Sequence, residues 1–220
     1  MAPFLLLALA IACLSQPANL IRLAEAPIAV IGFWRLAAAA AALTPSALLR
    51  RRSWAARGGG DRALTLLAGL LFFVHLWTFV YAAQHTGVAR CMVAFSTHPL
   101  WTGAGAWLVF KEAVTARFLG AYALAAAGIW LLLGGAATGS ESWLGDLSAL
   151  ASALLFSGYV LSGRRLRRRL DNAVYAGAVY WTAALCFLAA GFQAGVAWTG
   201  YPAMTWAAIL GLALGVTLGG

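Results

Sequence analysis

Residues 63–110 read ALTLLAGLLFFVHLWTFVYAAQHTGVARCMVAFSTHPLWTGAGAWLVF. Two apolar runs, 63–83 and 88–110, flank the short polar step QHTG. Each run has about the 20 residues that a helix needs to cross ~30 Å of hydrocarbon. Strand-like alternation is not sustained in either run or elsewhere, which argues against a barrel. The same reading carried outward finds further apolar segments at 2–21, 27–49, 115–135, 144–163, 173–195 and 203–220. The composition agrees. Of the 220 residues, 63% are apolar and 10% charged, where soluble domains carry about 25% charged residues. A soluble fold has too little interior for this much apolar surface. The expected class is therefore all-α, a polytopic transmembrane helical bundle.

The basic residues show how such a bundle is threaded. Arg50, Arg51, Arg52, Arg57 and Arg62 lie between the second and third segments, and Arg164, Arg165, Arg167, Arg168 and Arg169 between the sixth and seventh. Lys111 and Arg117 lie between the fourth and fifth. The other loops hold the balanced Arg22 and Glu25, Arg90 alone, Glu141 alone, or no charge. Cytoplasmic loops are enriched in Lys and Arg, so the three basic loops are expected inside, with the N-terminus cytoplasmic and the protein in the cell's inner, cytoplasmic membrane. The net charge of +9 is then chiefly orientation and does not call for a nucleic-acid partner. The first segment lacks a basic leader and carries Pro17 and Asn19 where a cleavage box would sit, so a retained helix is expected. Cys13, Cys91 and Cys186 fall in three separate segments and read as small buried hydrophobes.

An internal similarity suggests how the helices are grouped. RLAEAPIAVIGFWRLA begins at Arg22, and RLDNAVYAGAVYWTAA begins at Arg169. Ungapped, they share Arg–Leu, several alanines and one Trp, with Phe33 facing Tyr180. The match pairs the second segment with the seventh and so implies a five-segment unit. Five is odd, so a second unit enters the membrane upside down. Inverted repeats are a transporter architecture with the substrate site near the midplane between the halves.

Polar groups inside spans are costly and each needs a reason. Arg35 lies about eight residues into its segment, ~12 Å deep at the helical rise. His75 and His98 sit mid-segment at a similar depth. Arg35 could line a cavity or hold helices together, and each His could face a solute or be a satisfied core imidazole. Pro99 removes a backbone hydrogen bond and frees the Phe95 carbonyl, so it marks a helix break or a packing kink. Trp77, Tyr81, Trp101 and Trp107 add rings near this region that could stack on a flat solute. Gly103, Gly105, Gly120 and Gly128 would let helices approach closely. The motifs HExxH, GxSxG and GxxxxGK[ST] are missing, and the His residues lack a metal spacing, so neither an enzyme, a cofactor nor a metal is expected.

Taken in order, these residues resemble the EamA-like family of the drug/metabolite transporter superfamily. The resemblance rests on GFWRLAAAAAAL with Arg35, and on the run from Tyr81 through Pro99, Glu112, Gly120, Ala127 and Gly128. GDLSALASALLFSGYVLSGRR, with Gly145, Asp146 and Tyr159, is similar to the start of a second repeat. The resemblance implies ten helices in two inverted five-helix repeats and secondary transport, often outward, of a small metabolite or drug-like solute. Residues 1–137 would form the first repeat. Residues 143–220 would form the second, stopping after about three helices, so that about eight of ten helices are present. The expected substrate-binding residues are Arg35, His75, His98, Trp77, Tyr81 and Trp101, with Arg35 attracting a carboxylate and the rings covering an apolar part. His75 and His98 depart from the general family pattern. The expected partners are a small-molecule substrate and the lipid bilayer, with a homodimer compatible and no nucleic acid. The alternative is a non-transporting membrane subunit, or an incomplete fragment, that assembles with a partner.

Overall fold

The computed structural model describes residues 4, 11, 14–50, 58–113, 115–135 and 142–218. Half of the first predicted segment, Cys13, Arg51, Arg52, Arg57 and Glu141 lie outside the described residues. Among the described residues the structure is helical, with no strand.

In chain order the helices are α1 (Pro17–Ala24), α2 (Ile28–Leu49), α3 (Gly59–His85), α4 (Val88–Phe95), α5 (His98–Phe110), α6 (Ala116–Gly135), α7 (Trp143–Leu166), α8 (Asn172–Gln193) and α9 (Ala203–Gly211). A π-helical segment, Leu212–Leu218, continues α9. Four of these helices, α2, α3, α7 and α8, are long and apolar enough to cross a membrane. The predicted fourth segment is split into α4 and α5 at Ser96–Thr97, directly before the proline that cannot donate to the helical ladder.

Local sequence sets the helix ends. α8 starts at Asp171, whose carboxylate accepts from the Ala173 amide at 3.0 Å. It ends at Gly195, which takes φ 63°, with Gly195 N–H donating to Phe192 O and Val196 N–H donating to Gly191 O. That is the paired 5→2 and 6→1 closure of a glycine-terminated helix. Without a Cβ penalty only glycine holds that φ cheaply.

The bundle is organised around two intimate pairings, α2 with α8 and α3 with α7, with α3 also against α8. Missing Cβ atoms make these approaches possible. A Cβ on Gly32 would sit 2.4 Å from the Phe187 ring, and one on Gly69 would sit 2.6 Å from Thr182. Gly105 meets Leu161 and Gly103 meets Phe118 in the same way, whereas Gly120 and Gly128 face open space. The close-approach role expected for four glycines thus holds for Gly103 and Gly105 and not for the two on α6, which is exposed along most of its described length.

Ion pairs mark the two ends. At one end Arg50 pairs with Asp171, Arg164 with Glu112, and Arg169 with Asp61 at 3.9 Å. These contacts draw the three basic loops to a common end, as strict alternation requires. At the opposite end Arg90 pairs with Asp146.

The pairs at the basic end respond to acid in a calculable direction. The hydrogen bond from Arg50 holds the Asp171 carboxyl below its ordinary range, and the hydrogen bond from Arg164 does the same for Glu112. A carboxyl depressed in the folded state stabilises the fold above its unfolded pKa. That contribution fades as the pH falls through the folded value. Thermal midpoints in detergent are expected to be insensitive to these pairs from pH 8 to about pH 5, and to fall below about pH 4. Both carboxyls are solvent-exposed, so the shift is modest and shrinks further in high salt. A drop already centred near neutral pH would contradict this assignment.

Candidate functional site

The cavity of interest lies between α2, α3, α4, α7, α8 and the π segment, with a volume of about 340 Å3. Arg35 enters it from α2, His75 from α3 and Tyr180 from α8, while Phe72, Phe95, Phe156 and Tyr159 supply aromatic wall. Val216 and Thr217 close one side.

Arg35 is only 5% exposed. Its Nε donates to Thr217 Oγ1 at 2.8 Å. Thr217 Oγ1 in turn donates to Leu212 O at 2.9 Å, five residues back, which fits the wide turn of the π segment. Tyr180 Oη donates to Thr217 O at 3.3 Å. Thr217 thus ties α2 and α8 to the π segment. The far side of the guanidinium is different: Arg35 Nη1 is buried and has no hydrogen-bond partner among the described residues. Such an orphan on a cation is expensive and calls for an explanation.

His75 is buried and its Nδ1 lies 2.8 Å from Ser152 Oγ and 3.1 Å from Ser152 O. The carbonyl only accepts, so that contact is a hydrogen bond in the tautomer with the proton on Nδ1, while the Ser152 hydroxyl can serve either tautomer. The ring stacks on Phe95 with centroids 5.5 Å apart and packs on Phe156 at 4.9 Å. Its orientation is therefore fixed by α7 and by two rings of the cavity wall.

The other residues singled out from the sequence are placed elsewhere. His98 does not line the cavity. Its Nδ1 lies 3.3 Å from the Phe95 carbonyl, the acceptor that Pro99 frees, while Ser157 Oγ donates to the His98 carbonyl at 2.8 Å. His98 therefore serves the helix break, one ring away from His75 through Phe95. Trp77 stacks on Phe187 at 5.8 Å. Tyr81 stacks on His85 at 4.0 Å, near the end of α3. Trp101 is partly exposed, and its Nε1 donates to Thr97 Oγ1. The structure thus brings Arg35 and His75 to one cavity and leaves His98, Trp77, Tyr81 and Trp101 outside its lining.

Several lining residues had no mark in the sequence. Phe72, Phe95 and Phe156 are ordinary aromatics within continuously apolar runs. Thr217 is a single hydroxyl near the end of another run. Tyr159 carries part of the resemblance to a second repeat and Arg167 belongs to a basic loop, but neither pointed to a cavity.

These observations describe a helical bundle with an aromatic cavity, a buried arginine at its wall and basic loops at one end. The family model described as EamA-like transporter family matches residues 1–134. The chain belongs to the EamA-like transporter family. Members of that family are membrane transporters of the drug/metabolite type rather than enzymes, and the apolar helices fit a multi-pass membrane protein. Among curated proteins, none matches the chain. Among the described residues no group of His, Cys, Asp or Glu could hold a metal ion.

In this EamA-like chain the end opposite the basic loops is closed by a polar knot. Arg90 grips Asp146, with side-chain exposures of 15% and 16%. Thr86 Oγ1 donates to Asp146 Oδ1 at 2.8 Å. Arg22 Nε donates to Ala83 O at 2.9 Å, and Arg22 also reaches Thr86 O. Asp146→Asn removes the charge that two donors share in a poorly solvated place. It is expected to destabilise the protein by about 1–3 kcal/mol. The double variant R90D/D146R should recover part of that loss if the pair itself matters. Thermal unfolding in detergent checks both, and an unchanged midpoint for Asp146→Asn would remove the knot from the stability argument.

Proposed function

We propose that this chain is a secondary transporter that moves a small organic metabolite or drug-like solute outward across the cytoplasmic membrane. The single observation that carries the reading is Arg35 Nη1, a buried donor without a partner in an aromatic cavity. A merely structural arginine would be expected to spend its donors on carbonyls or a carboxylate. Here one face of the guanidinium is used on Thr217, and the other is left for a solute.

Alternating access between inverted repeats, 1–137 and 143–220, is the proposed mechanism. Helix neighbours support the pairing. Exchange of α1 with α7, α2 with α8 and α3 with α9 carries the α2–α8 contact onto itself. It carries α3–α7 onto α9–α1 and α3–α8 onto α9–α2, and each of these pairs is in contact. The basic loops are proposed to face the cytoplasm, with the N-terminus on the same side.

The test compares metabolites in cells with and without the gene. One small solute is expected to accumulate inside cells lacking it and to return to normal on re-expression. Unchanged pools, together with no solute flux in vesicles that carry the purified protein, would sink the transport reading.

A further inference from the structure

The cavity has a second cation, and it lies at the cavity's edge. Arg167 follows α7 at the basic end, lines the same cavity as Arg35, and is exposed to solvent. A residue that both lines a cavity and meets solvent marks an opening. Arg167 is also held in place. Its Nη2 donates to Tyr159 Oη at 3.5 Å, and its guanidinium lies 5.4 Å from the centre of the Tyr175 ring. Unlike Arg50 and Arg164 at the same end, it has no carboxylate among the ion pairs of the described residues. Among the described residues no Asp or Glu lines the cavity. From Arg167 the wall continues through Tyr159 and Phe72, with centroids 4.7 Å apart, to Tyr180 at 5.5 Å from Phe72. Tyr180 and Arg35 then meet on Thr217. A solute entering from the basic end passes one exposed guanidinium, crosses aromatic faces, and reaches a buried guanidinium with a free donor.

We propose that this is a two-cation site for an organic anion with a flat aromatic body: Arg167 captures the acidic group at the mouth, and Arg35 holds it at depth. The proposal rests on the transport reading only for its consequence, since it concerns what the cavity binds. An acid-bearing ring matches each part of the wall. The carboxylate supplies the acceptor that Arg35 Nη1 lacks, in a charge-assisted and planar geometry. The ring replaces water against the phenylalanines and tyrosines. An ammonium on the same ring would meet two like charges and no carboxylate, which is strongly disfavoured in a poorly solvated cavity. Arg167 is a capture residue. Its exposed charge raises the encounter rate and loses force with salt.

The experiment uses three probes of one shape, 2-naphthoate, 2-naphthamide and 2-naphthylmethylammonium, on the purified full chain in detergent. Calorimetry gives affinity, and flux in proteoliposomes is measured beside it. Naphthoate is expected to bind roughly 100-fold more tightly than the ammonium probe, with the amide between them. Arg167→Gln should weaken naphthoate about tenfold and flatten its salt dependence, with the amide unaffected. Arg35→Gln should abolish the preference for the acid. Arg35→Lys keeps the charge and should retain part of that preference, which guards against a variant that simply fails to fold. Ammonium binding equal to or tighter than naphthoate overturns the proposal. So does the absence of binding by both naphthoate and the smaller benzoate at millimolar concentration. An unchanged salt dependence in Arg167→Gln overturns the mouth site. Acid-selective binding without flux of any probe supports the two-cation site while removing the transport reading. Flux of the ammonium probe alone does the reverse.

Discussion

Arg35→Met is expected to abolish flux, by roughly 100-fold or more, and at the same time to raise the thermal midpoint. The two effects have one cause. Arg35 is 5% exposed, donates through Nε to Thr217, and leaves Nη1 without a partner. In the resting protein that donor is a cost. Replacing a buried and incompletely satisfied charge by an apolar side chain of similar length often stabilises a protein by about 1–4 kcal/mol. With the proposed anion bound, the same donor would make a charge-assisted bond worth about 1.5–3 kcal/mol, and a second bond from the fork would add to it. Each 1.4 kcal/mol is tenfold in binding, so losing the guanidinium removes two or more powers of ten. Stability given up for function is expected of a ligand site. Flux and melting measured on the same preparation decide the matter. A variant that transports normally ends the assignment of Arg35 to the solute. A variant that loses both flux and stability makes Arg35 a structural tie through Thr217 instead.

Gly32→Leu is expected to prevent the bundle from assembling. Even a Cβ at Gly32 would lie 2.4–2.5 Å from three atoms of the Phe187 ring, well inside contact distance. That ring cannot step aside, because it stacks on Trp77 and meets Phe73 edge-on at 4.7 Å. Gly32→Ala therefore forces α2 and α8 apart and should cost about 1–3 kcal/mol. Leucine exceeds what a local shift can absorb, and the yield of monodisperse protein in detergent should collapse. Gly120→Ala is the control. It faces open space on α6, and it should be neutral or slightly stabilising, since alanine is favoured over glycine within a helix by about 0.5–1 kcal/mol. If Gly32→Leu runs as a sharp, monodisperse peak, the α2–α8 packing described above is wrong.

The sequence showed the helices far better than their faces. Long apolar runs are a length signal, and α2, α3, α7 and α8 emerged from it with ends displaced by only a few residues. The break before α5 was legible because proline chemistry is local. The common end of the basic loops was legible because charge follows topology. Facing was not. A helix apolar on all sides has no stripe to point with. Phe72 and Phe73 are adjacent and chemically identical, yet Phe72 lines the cavity while Phe73 packs on Phe187. His75 and His98 look equivalent by depth, yet one lines the cavity and the other sits against the carbonyl freed by the break. Shared depth narrowed the candidates, and only packing separated them. Arg35 stood out because a cation in a span is rare. Arg167 was hidden among neighbours that serve topology.

The interrupted helix pair α4–α5 looks like a natural hinge, but its fastenings argue otherwise. Arg90 on α4 is stapled to Asp146 near the start of α7. Glu112, just past α5, is stapled to Arg164 near the end of α7. Between them, Ser157 of α7 bonds the His98 carbonyl at the break itself. The Arg90 pair and the Ser157 bond hold α4 and the break against α7, and the exposed Glu112–Arg164 pair adds less. α4, α5 and α7 thus form one plate, with α3 packed most extensively on it, and α3 in turn packs on α8. Arg35 and Tyr180 meet on Thr217 outside that plate, at the junction of α2, α8 and the π segment.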